Sequence, residues 1–145
     1  MTAPPKTVLL VEDQPDLKVF LSNLLISGEY TTIFAAGKAE GLAKAMAEKP
    51  DLIIIDMMMP VEQGIRLYRA LKSNGHLAEL PVIMLSSIKK RTFFQCHRIR
   101  EQQSARSLPV PEAYIETPPE AEELLRLVRE LITPQYRVHN MAKRT

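Results

Sequence analysis

The chain has 145 residues, of which 46% are hydrophobic and 25% charged, and its formal net charge is +2. This composition is typical of one globular domain that is large enough to bury a core. It argues against a membrane protein, because no apolar run approaches the roughly 20 residues of a spanning helix. The N-terminus also lacks the apolar core of a secretion signal. A single cysteine, Cys96, excludes an internal disulfide. We therefore expect a cytoplasmic protein.

The basic charge is concentrated in two late segments. Residues 89–106 carry a local charge of +5 and residues 134–145 add +3, so the rest of the chain is acidic. We interpret residues 5–133 as one folded domain and residues 134–145 as a basic, disordered tail. The first basic segment is either a solvated helix face or a binding site for an acidic protein partner. Basic residues alone do not favour nucleic acid as the partner.

Strand and helix patterns alternate along the chain, as expected of an α/β fold with a parallel sheet. Apolar runs predict strands at residues 7–11, 31–35, 52–56, 81–85 and 113–115. Apolar residues at helical spacing predict helices at residues 16–27, 38–49, 65–73 and 120–132. Gly28 is expected to end the first helix, and Pro60 and Gly64 are expected to form the turn before the third. From the second helix, we expect three side chains to face inward, those of Leu42, Ala43 and Met46.

These elements predict a doubly wound, five-stranded parallel sheet of the flavodoxin-like (βα)5 type. We expect right-handed crossovers and the strand order 2-1-3-4-5. The irregular part is residues 87–112, an extended region between helix four and strand five. A helix from residue 88 to about residue 103 is one interpretation, although its apolar periodicity is poor. Pro109 and Pro111 require an extended chain after it.

Three carboxylates follow two of the predicted strands. Glu12 and Asp13 end the first strand and Asp56 ends the third, at the sheet edge where parallel sheets bind ligands. Asp13 alone would be explained as a helix N-cap before Pro15, and Asp56 alone as an acceptor for backbone donors. Together, three carboxylates at neighbouring strand ends would repel one another unless a cation lies among them. Mg²⁺ prefers oxygen ligands and suits this gap.

With these residues the chain resembles the receiver domain of two-component response regulators, in particular the single-domain receivers of the chemotaxis type. The resemblance rests on residues in the expected order, namely Glu12-Asp13, Asp56, Met59-Pro60, Gly64, Ser86 and Tyr114. It implies that Asp56 attacks a phosphohistidine on a histidine kinase or histidine phosphotransfer protein and forms an acyl phosphate. The domain would then catalyse at most its own phosphorylation and dephosphorylation, and would not be a dedicated enzyme.

The resemblance also implies a role for each residue around Asp56. Mg²⁺ or Mn²⁺ would be held by four groups, the carboxylates of Glu12, Asp13 and Asp56 and the backbone carbonyl of Met58. The Ser86 hydroxyl would bind a phosphoryl oxygen, and Tyr114 would move into the vacated space and change the surface around helix four, strand five and the last helix. That surface would signal through contacts with a downstream protein. Dimerisation through the last helix is an open alternative.

One residue departs from the receiver pattern. Receivers usually carry a lysine before the proline that follows strand five, and here Thr117 precedes Pro118. Thr117 instead fits a capping box for the last helix, with Glu120 as its partner. Either Lys89 or Lys90 is a candidate substitute for the missing charge. The departure leaves a second function open, that of a pseudo-receiver whose partner binding does not depend on phosphorylation.

Overall fold

The computed structural model describes residues 4–97, 99 and 108–133. In this part of the chain, five strands and five helices alternate. The strands are β1 (Thr7–Val11), β2 (Thr31–Ala35), β3 (Leu52–Asp56), β4 (Val82–Ser86) and β5 (Ala113–Glu116). The helices are α1 (Pro15–Ser27), α2 (Lys38–Glu48), α3 (Val61–Ser73), α4 (Lys90–Cys96) and α5 (Ala121–Ile132). Within the described ranges, no helix is long and apolar enough to cross a membrane.

All five strands are parallel and lie in the order β2-β1-β3-β4-β5, as predicted. The central strands β3 and β4 are buried along their whole length, because helices cover both faces of the sheet. On one face, α1 and α5 enclose a cluster that contains Leu10 and Ile54. On the other face, α2, α3 and α4 enclose a cluster that contains Leu9 and Ile55.

The inward face of α2 differs from the prediction. Two of the three residues expected to face inward, Ala43 and Met46, are exposed. The buried residues are instead Gly41 and Ala45. A Cβ atom at Gly41 would lie 3.1 Å from a methyl carbon of Leu67 on α3. Close approach of α2 to α3 therefore selects small residues for the buried face, and hydrophobicity alone does not identify them.

Neither Asp13, for which capping was the alternative explanation, nor Thr117, which fitted a capping box, is the N-cap of a helix. Gln14 is the N-cap of α1 in place of Asp13, and Glu120 is the N-cap of α5 in place of Thr117. Neither residue makes a side-chain capping hydrogen bond. Pro118 precedes Pro119, and the residue before a proline is disfavoured in helical conformation, so Pro118 is a poor first helical residue. The last helix therefore begins only after both prolines.

Gly64 lies in the first turn of α3, and the prediction that it forms the preceding turn is wrong. A Cβ atom at this position would lie 3.1 Å from the Cα atom of Met57. The absence of a side chain therefore lets α3 approach the chain that leaves β3, directly beside Asp56.

The region between β4 and β5 is only partly described. The helix predicted over residues 88–103 appears as the seven-residue α4, and residues 98 and 100–107 lie outside the described residues. Ile99 and Leu108 are both buried and form an isolated parallel bridge. The predicted tail, residues 134–145, also lies outside the described residues.

A buried ion pair fixes the chain that enters β5. Lys72 Nζ on α3 lies 3.3 Å from Glu112 Oε1, and the two side chains are only 5% and 3% exposed. Glu112 Oε2 accepts the Val82 N–H at 2.8 Å, and Lys72 Nζ also donates to the carbonyls of Ala78 and Leu80. The pair therefore ties the end of α3 to the starts of β4 and β5.

We expect Lys72→Met to lower the free energy of unfolding by about 3–5 kcal/mol, because it leaves the buried Glu112 carboxylate without this partner. Urea unfolding measures the change. The control Arg126→Gln breaks the Arg126–Glu130 pair, whose side chains are 57% exposed. Its loss should cost less than about 1 kcal/mol. Equal losses in the two variants would contradict a special role for the buried pair.

Candidate functional site

The carboxyl ends of β1 and β3 bring the three predicted acids together. Glu12 and Asp13 follow β1, and Asp56 is the last residue of β3, its neighbour in the sheet. Ligand-capable oxygen atoms of the three side chains lie within 4.8 Å of one another. The structure therefore assembles the acidic group that the sequence predicts.

Backbone hydrogen bonds continue past the strand ends and fix these residues. The Glu12 N–H donates to the Ala35 carbonyl at 3.1 Å, and the Met57 N–H donates to the Leu85 carbonyl at 2.8 Å. The Met58 N–H donates to Asp56 Oδ1 at 2.9 Å. One Asp56 oxygen is thereby held by the backbone, and the carboxylate keeps a defined orientation.

Glu12 has the least favourable environment of the three acids. Its side chain is 1% exposed, and Oε1 accepts the Gln14 N–H at 3.0 Å. Oε2 is buried and has no hydrogen-bond partner among the described residues. Burial raises the pKa of Glu12 from 4.5 to about 8, with smaller contributions from a side-chain hydrogen bond to Asp56 and from the charges of Asp56 and Asp13, against the lowering effect of the Gln14 N–H.

The charge of the acidic group is not balanced by side chains in the described part of the chain. None of the ion pairs there involves Glu12, Asp13 or Asp56. Asp13 is exposed, whereas Asp56 is buried. Three carboxylates with one unpartnered buried oxygen are the type of oxygen ligand set that a hard divalent cation fits.

Without a divalent cation, the Glu12 charge should destabilise the fold. Below about pH 4.5 the carboxyl is protonated in both states, so its charge has no effect. As pH rises towards 8 the unfolded state releases this proton first, and the wild type loses stability. In chelator, Glu12→Gln should therefore be more stable, by roughly 1–3 kcal/mol near pH 8.

Thermal unfolding of Glu12→Gln and wild type across this pH range measures the difference. The gap between the two midpoints should widen as pH rises. A matched control is Glu48→Gln, which changes an exposed carboxylate at the end of α2. A gap that stays constant with pH would contradict the raised pKa of Glu12.

Ser86 lies fully buried at the end of β4, one residue beyond Leu85, which pairs with Asp56 on β3. Its Oγ accepts the Ile88 N–H at 3.0 Å and lies 3.5 Å from Met58 Sδ, to which the hydroxyl donates. Tyr114 on β5 donates its hydroxyl to the Ile88 carbonyl at 2.6 Å. The backbone of Ile88 is thus bonded on one side to Ser86 and on the other to Tyr114.

Aromatic side chains of α4 surround Tyr114. Its ring centroid lies 5.4 Å from that of Phe93 and 5.5 Å from that of Phe94. Burial raises the pKa of the Tyr114 hydroxyl, partly offset by a hydrogen bond to Ser86. Sequence reasoning missed both phenylalanines as neighbours of Tyr114. The two adjacent phenylalanines could have indicated an aromatic contact. The poor apolar periodicity of this segment, however, did not predict which side of α4 is buried.

Thr117 follows β5 and lies at the same sheet edge. Its N–H donates to the Ser86 carbonyl at 2.9 Å, and its uncharged side chain is half-buried. Lys90 Nζ lies 5.6 Å from the Phe94 ring centroid. Neither Lys89 nor Lys90 forms an ion pair with the acids in the described ranges. The structure therefore does not place either lysine where it would replace the missing charge.

Comparisons with known proteins agree on one family. Residues 8–102 match the model of the response regulator receiver domain. The chain is 36% identical over 80 residues to the sensor histidine kinase TmoS of Ectopseudomonas mendocina, covering 55% of this chain and 8% of the kinase. It is 34% identical over 84 residues to the polar-differentiation response regulator DivK of Brucella anthropi, covering 57% of this chain and 68% of that protein. The chain thus spans only a small part of the kinase.

Solved structures share the fold. The chemotaxis response regulator CheY4 of Vibrio cholerae superposes with a TM-score of 0.72 at 25% identity, over 88% of this chain and 99% of that one. A receiver domain of a Pseudomonas aeruginosa PAO1 sensor histidine kinase gives a TM-score of 0.71 at 21% identity, over 89% and 98% of the two chains. That structure is described with a magnesium ion coordinated in its active site cleft.

Proposed function

We propose a function from one premise: the chain belongs to the response regulator receiver family. Receiver domains act with histidine kinases in two-component systems. We infer that this domain spans residues 5–133 and accepts a phosphoryl group on Asp56. The observation that carries the proposal is the acidic group at the sheet edge, with its three carboxylates within 4.8 Å of one another.

The nucleophile is the Asp56 carboxylate. Because the Met58 N–H holds Oδ1, the second oxygen is free of this bond and can attack phosphorus. The donor is a phosphohistidine of a histidine kinase or histidine phosphotransfer protein. A P–O bond forms to Asp56 as the P–N bond to the histidine breaks, and the product is an acyl phosphate.

The acidic group is the proposed metal site. Glu12, Asp13, Asp56 and the Met58 carbonyl would hold Mg²⁺ or Mn²⁺, which when bound offsets the negative charge on the phosphoryl oxygens. The unpartnered Oε2 of Glu12 supports this assignment, because a buried carboxylate oxygen needs a counter-charge. The magnesium ion described in the cleft of the PAO1 receiver domain gives further support.

Ser86 and Tyr114 form the proposed switch. The Ser86 hydroxyl donates to the weak thioether acceptor of Met58, so it can turn from there to a phosphoryl oxygen at little cost. Rotation of the Ser86 hydroxyl changes the hydrogen bond that its oxygen accepts from the Ile88 N–H. Tyr114 then changes position, because its hydroxyl donates to the Ile88 carbonyl. The surface of α4, β5 and α5 then changes.

Incubation with a small phosphodonor and Mg²⁺ should add one phosphoryl group to the protein, as measured by intact mass. Asp56→Asn should abolish the addition, because the amide is not a nucleophile of this kind. The control Asp51→Asn changes a carboxylate at the opposite end of β3, where it accepts the Thr7 N–H. It should leave the addition intact. Absence of any adduct, together with no binding of beryllofluoride at millimolar concentration, would overturn the proposal.

Ser86→Ala should slow phosphorylation about 3- to 10-fold, because one neutral hydrogen bond to the phosphoryl group is lost. The beryllofluoride-induced NMR shifts of Ile88 and Tyr114 should also shrink, since the link between them and the site passes through the hydroxyl. Ser87→Ala removes the hydroxyl of the exposed neighbour and should change neither measurement. Full-size shifts in Ser86→Ala would contradict this switch.

The basic start of α4 is the proposed contact for a downstream partner. Lys89, Lys90 and Arg91 are exposed beside the surface that contains Tyr114, which favours an acidic protein. Dimerisation through α5 remains the alternative for that surface, and nucleic acid is not favoured. Cytoplasmic location stays a prediction from the sequence.

The second candidate function is a pseudo-receiver, which binds its partner without phosphorylation. Thr117 favours it, because this position supplies no positive charge to a phosphoryl group. Equal partner affinity of wild type and Asp56→Asn, with phosphodonor present, would support this function. A loss of affinity in Asp56→Asn under these conditions would support the phosphoryl-accepting one.

A further inference from the structure

Position 117 faces the same side of the sheet as Asp56. Thr117 follows the last residue of β5, and the bond from its N–H to the Ser86 carbonyl continues the hydrogen-bond pattern of β4 and β5 by one residue. Side chains alternate along a strand, so Thr117 shares a face with Ile115, and Asp56 shares a face with Ile54. Ile115 and Ile54 belong to the same core cluster. Thr117 and Asp56 are therefore on one face, with only β4 between their strands.

A longer side chain at this position would reach the acids. Two strand spacings separate β5 from β3 by roughly 10 Å, and the register sets Thr117 two residues, roughly 7 Å, beyond the level of Asp56, so the two Cα atoms lie roughly 12 Å apart. A lysine extends roughly 6 Å from its Cα and an aspartate roughly 2–3 Å, by standard bond lengths. An ammonium group at position 117 would thus come within contact distance of Asp56, whereas the threonine side chain is too short and carries no charge.

We propose that, because position 117 is a threonine, the Glu12–Asp13–Asp56 group depends on a divalent cation for its counter-charge. No side chain among the described residues supplies one through an ion pair. This makes the site a tighter cation site than a lysine at position 117 would allow. The inference rests on the proposed function, because it concerns the same acidic group. Two observations carry it: the absence of any ion pair to these acids in the described ranges, and the buried, unpartnered Oε2 of Glu12.

A lysine ammonium group and a divalent cation would compete for the negative charge of the same three carboxylates. An ammonium group beside the three carboxylates would neutralise part of the charge that attracts the cation, and would repel the cation at close range. With threonine, no ammonium group at position 117 reduces the negative charge that attracts the ion. Occupancy of the site by a divalent cation should consequently change the stability of this chain more than that of a lysine-bearing variant.

The test is calorimetric titration with Mg²⁺ at low, fixed ionic strength. Thr117→Lys should bind Mg²⁺ on the order of 10-fold more weakly than wild type. Thr117→Gln adds length without charge, and Thr31→Lys adds the same charge at the opposite edge of the sheet, where Thr31 is exposed. Both controls should stay within about threefold of wild type. Equal or tighter binding in Thr117→Lys than in Thr117→Gln would overturn the inference.

A second measurement is the Mg²⁺-dependent rise of the thermal unfolding midpoint, which should be smaller in Thr117→Lys than in wild type. Thr117→Arg carries the same charge and replaces the lysine variant if that variant does not fold. The phosphodonor assay separates the two proposals. Phosphorylation of Asp56 with an unchanged Mg²⁺ affinity in Thr117→Lys rejects only this inference. Weakened Mg²⁺ binding without phosphorylation of wild type rejects only the proposed function.

Discussion

Crowding of three carboxylates at one sheet edge is the constraint on which the site depends. The fold forces this crowding, because β1 and β3 are neighbours, Glu12 and Asp13 directly follow β1, and Asp56 ends β3. Burial raises the free-energy cost of this crowding, since Glu12 is almost inaccessible to water and one of its oxygens has no hydrogen-bond partner in the described structure. The result is a pKa near 8 for a glutamate. An arrangement that the apo chain holds only at a cost becomes favourable when a cation or a proton enters, which is a property expected of a binding site.

The parallel sheet allows residues distant in sequence to share this edge. Every strand ends on the same side, and the ladder continues for one further bond at Glu12, Met57 and Thr117. Hydrogen bonds between strands thus fix the backbone that carries these side chains. At the amino-terminal ends of the strands, the buried Lys72–Glu112 pair separately fixes the start of β5. Both ends of β5 are therefore tied to β4.

The sequence predicted the strands and the acidic group because both follow from local patterns. A run such as Leu52–Asp56 is apolar enough to identify a buried strand, and strand order then brings the acids together. Predictions that depended on close packing failed. Gly41 and Ala45 line the buried face of α2, because α2 lies so close to α3 that only small side chains fit between them. The Lys72–Glu112 pair was missed because its partners are 40 residues apart, and no local signal distinguishes them from surface charges.

Thr117 illustrates how one residue can be interpreted wrongly by a local rule and correctly by a global one. As a helix cap it fitted the motif, yet α5 begins four residues later and Thr117 makes no capping bond. Its position is set by the ladder bond to Ser86, the residue that also holds Ile88 and, through it, Tyr114. A charge at this position would act on the acids and on the Ser86 backbone together. Without that charge, the acids have no cationic side chain in an ion pair within the described ranges. Ser86 and Tyr114 are linked through the Ile88 backbone, and Tyr114 also packs against Phe93 and Phe94.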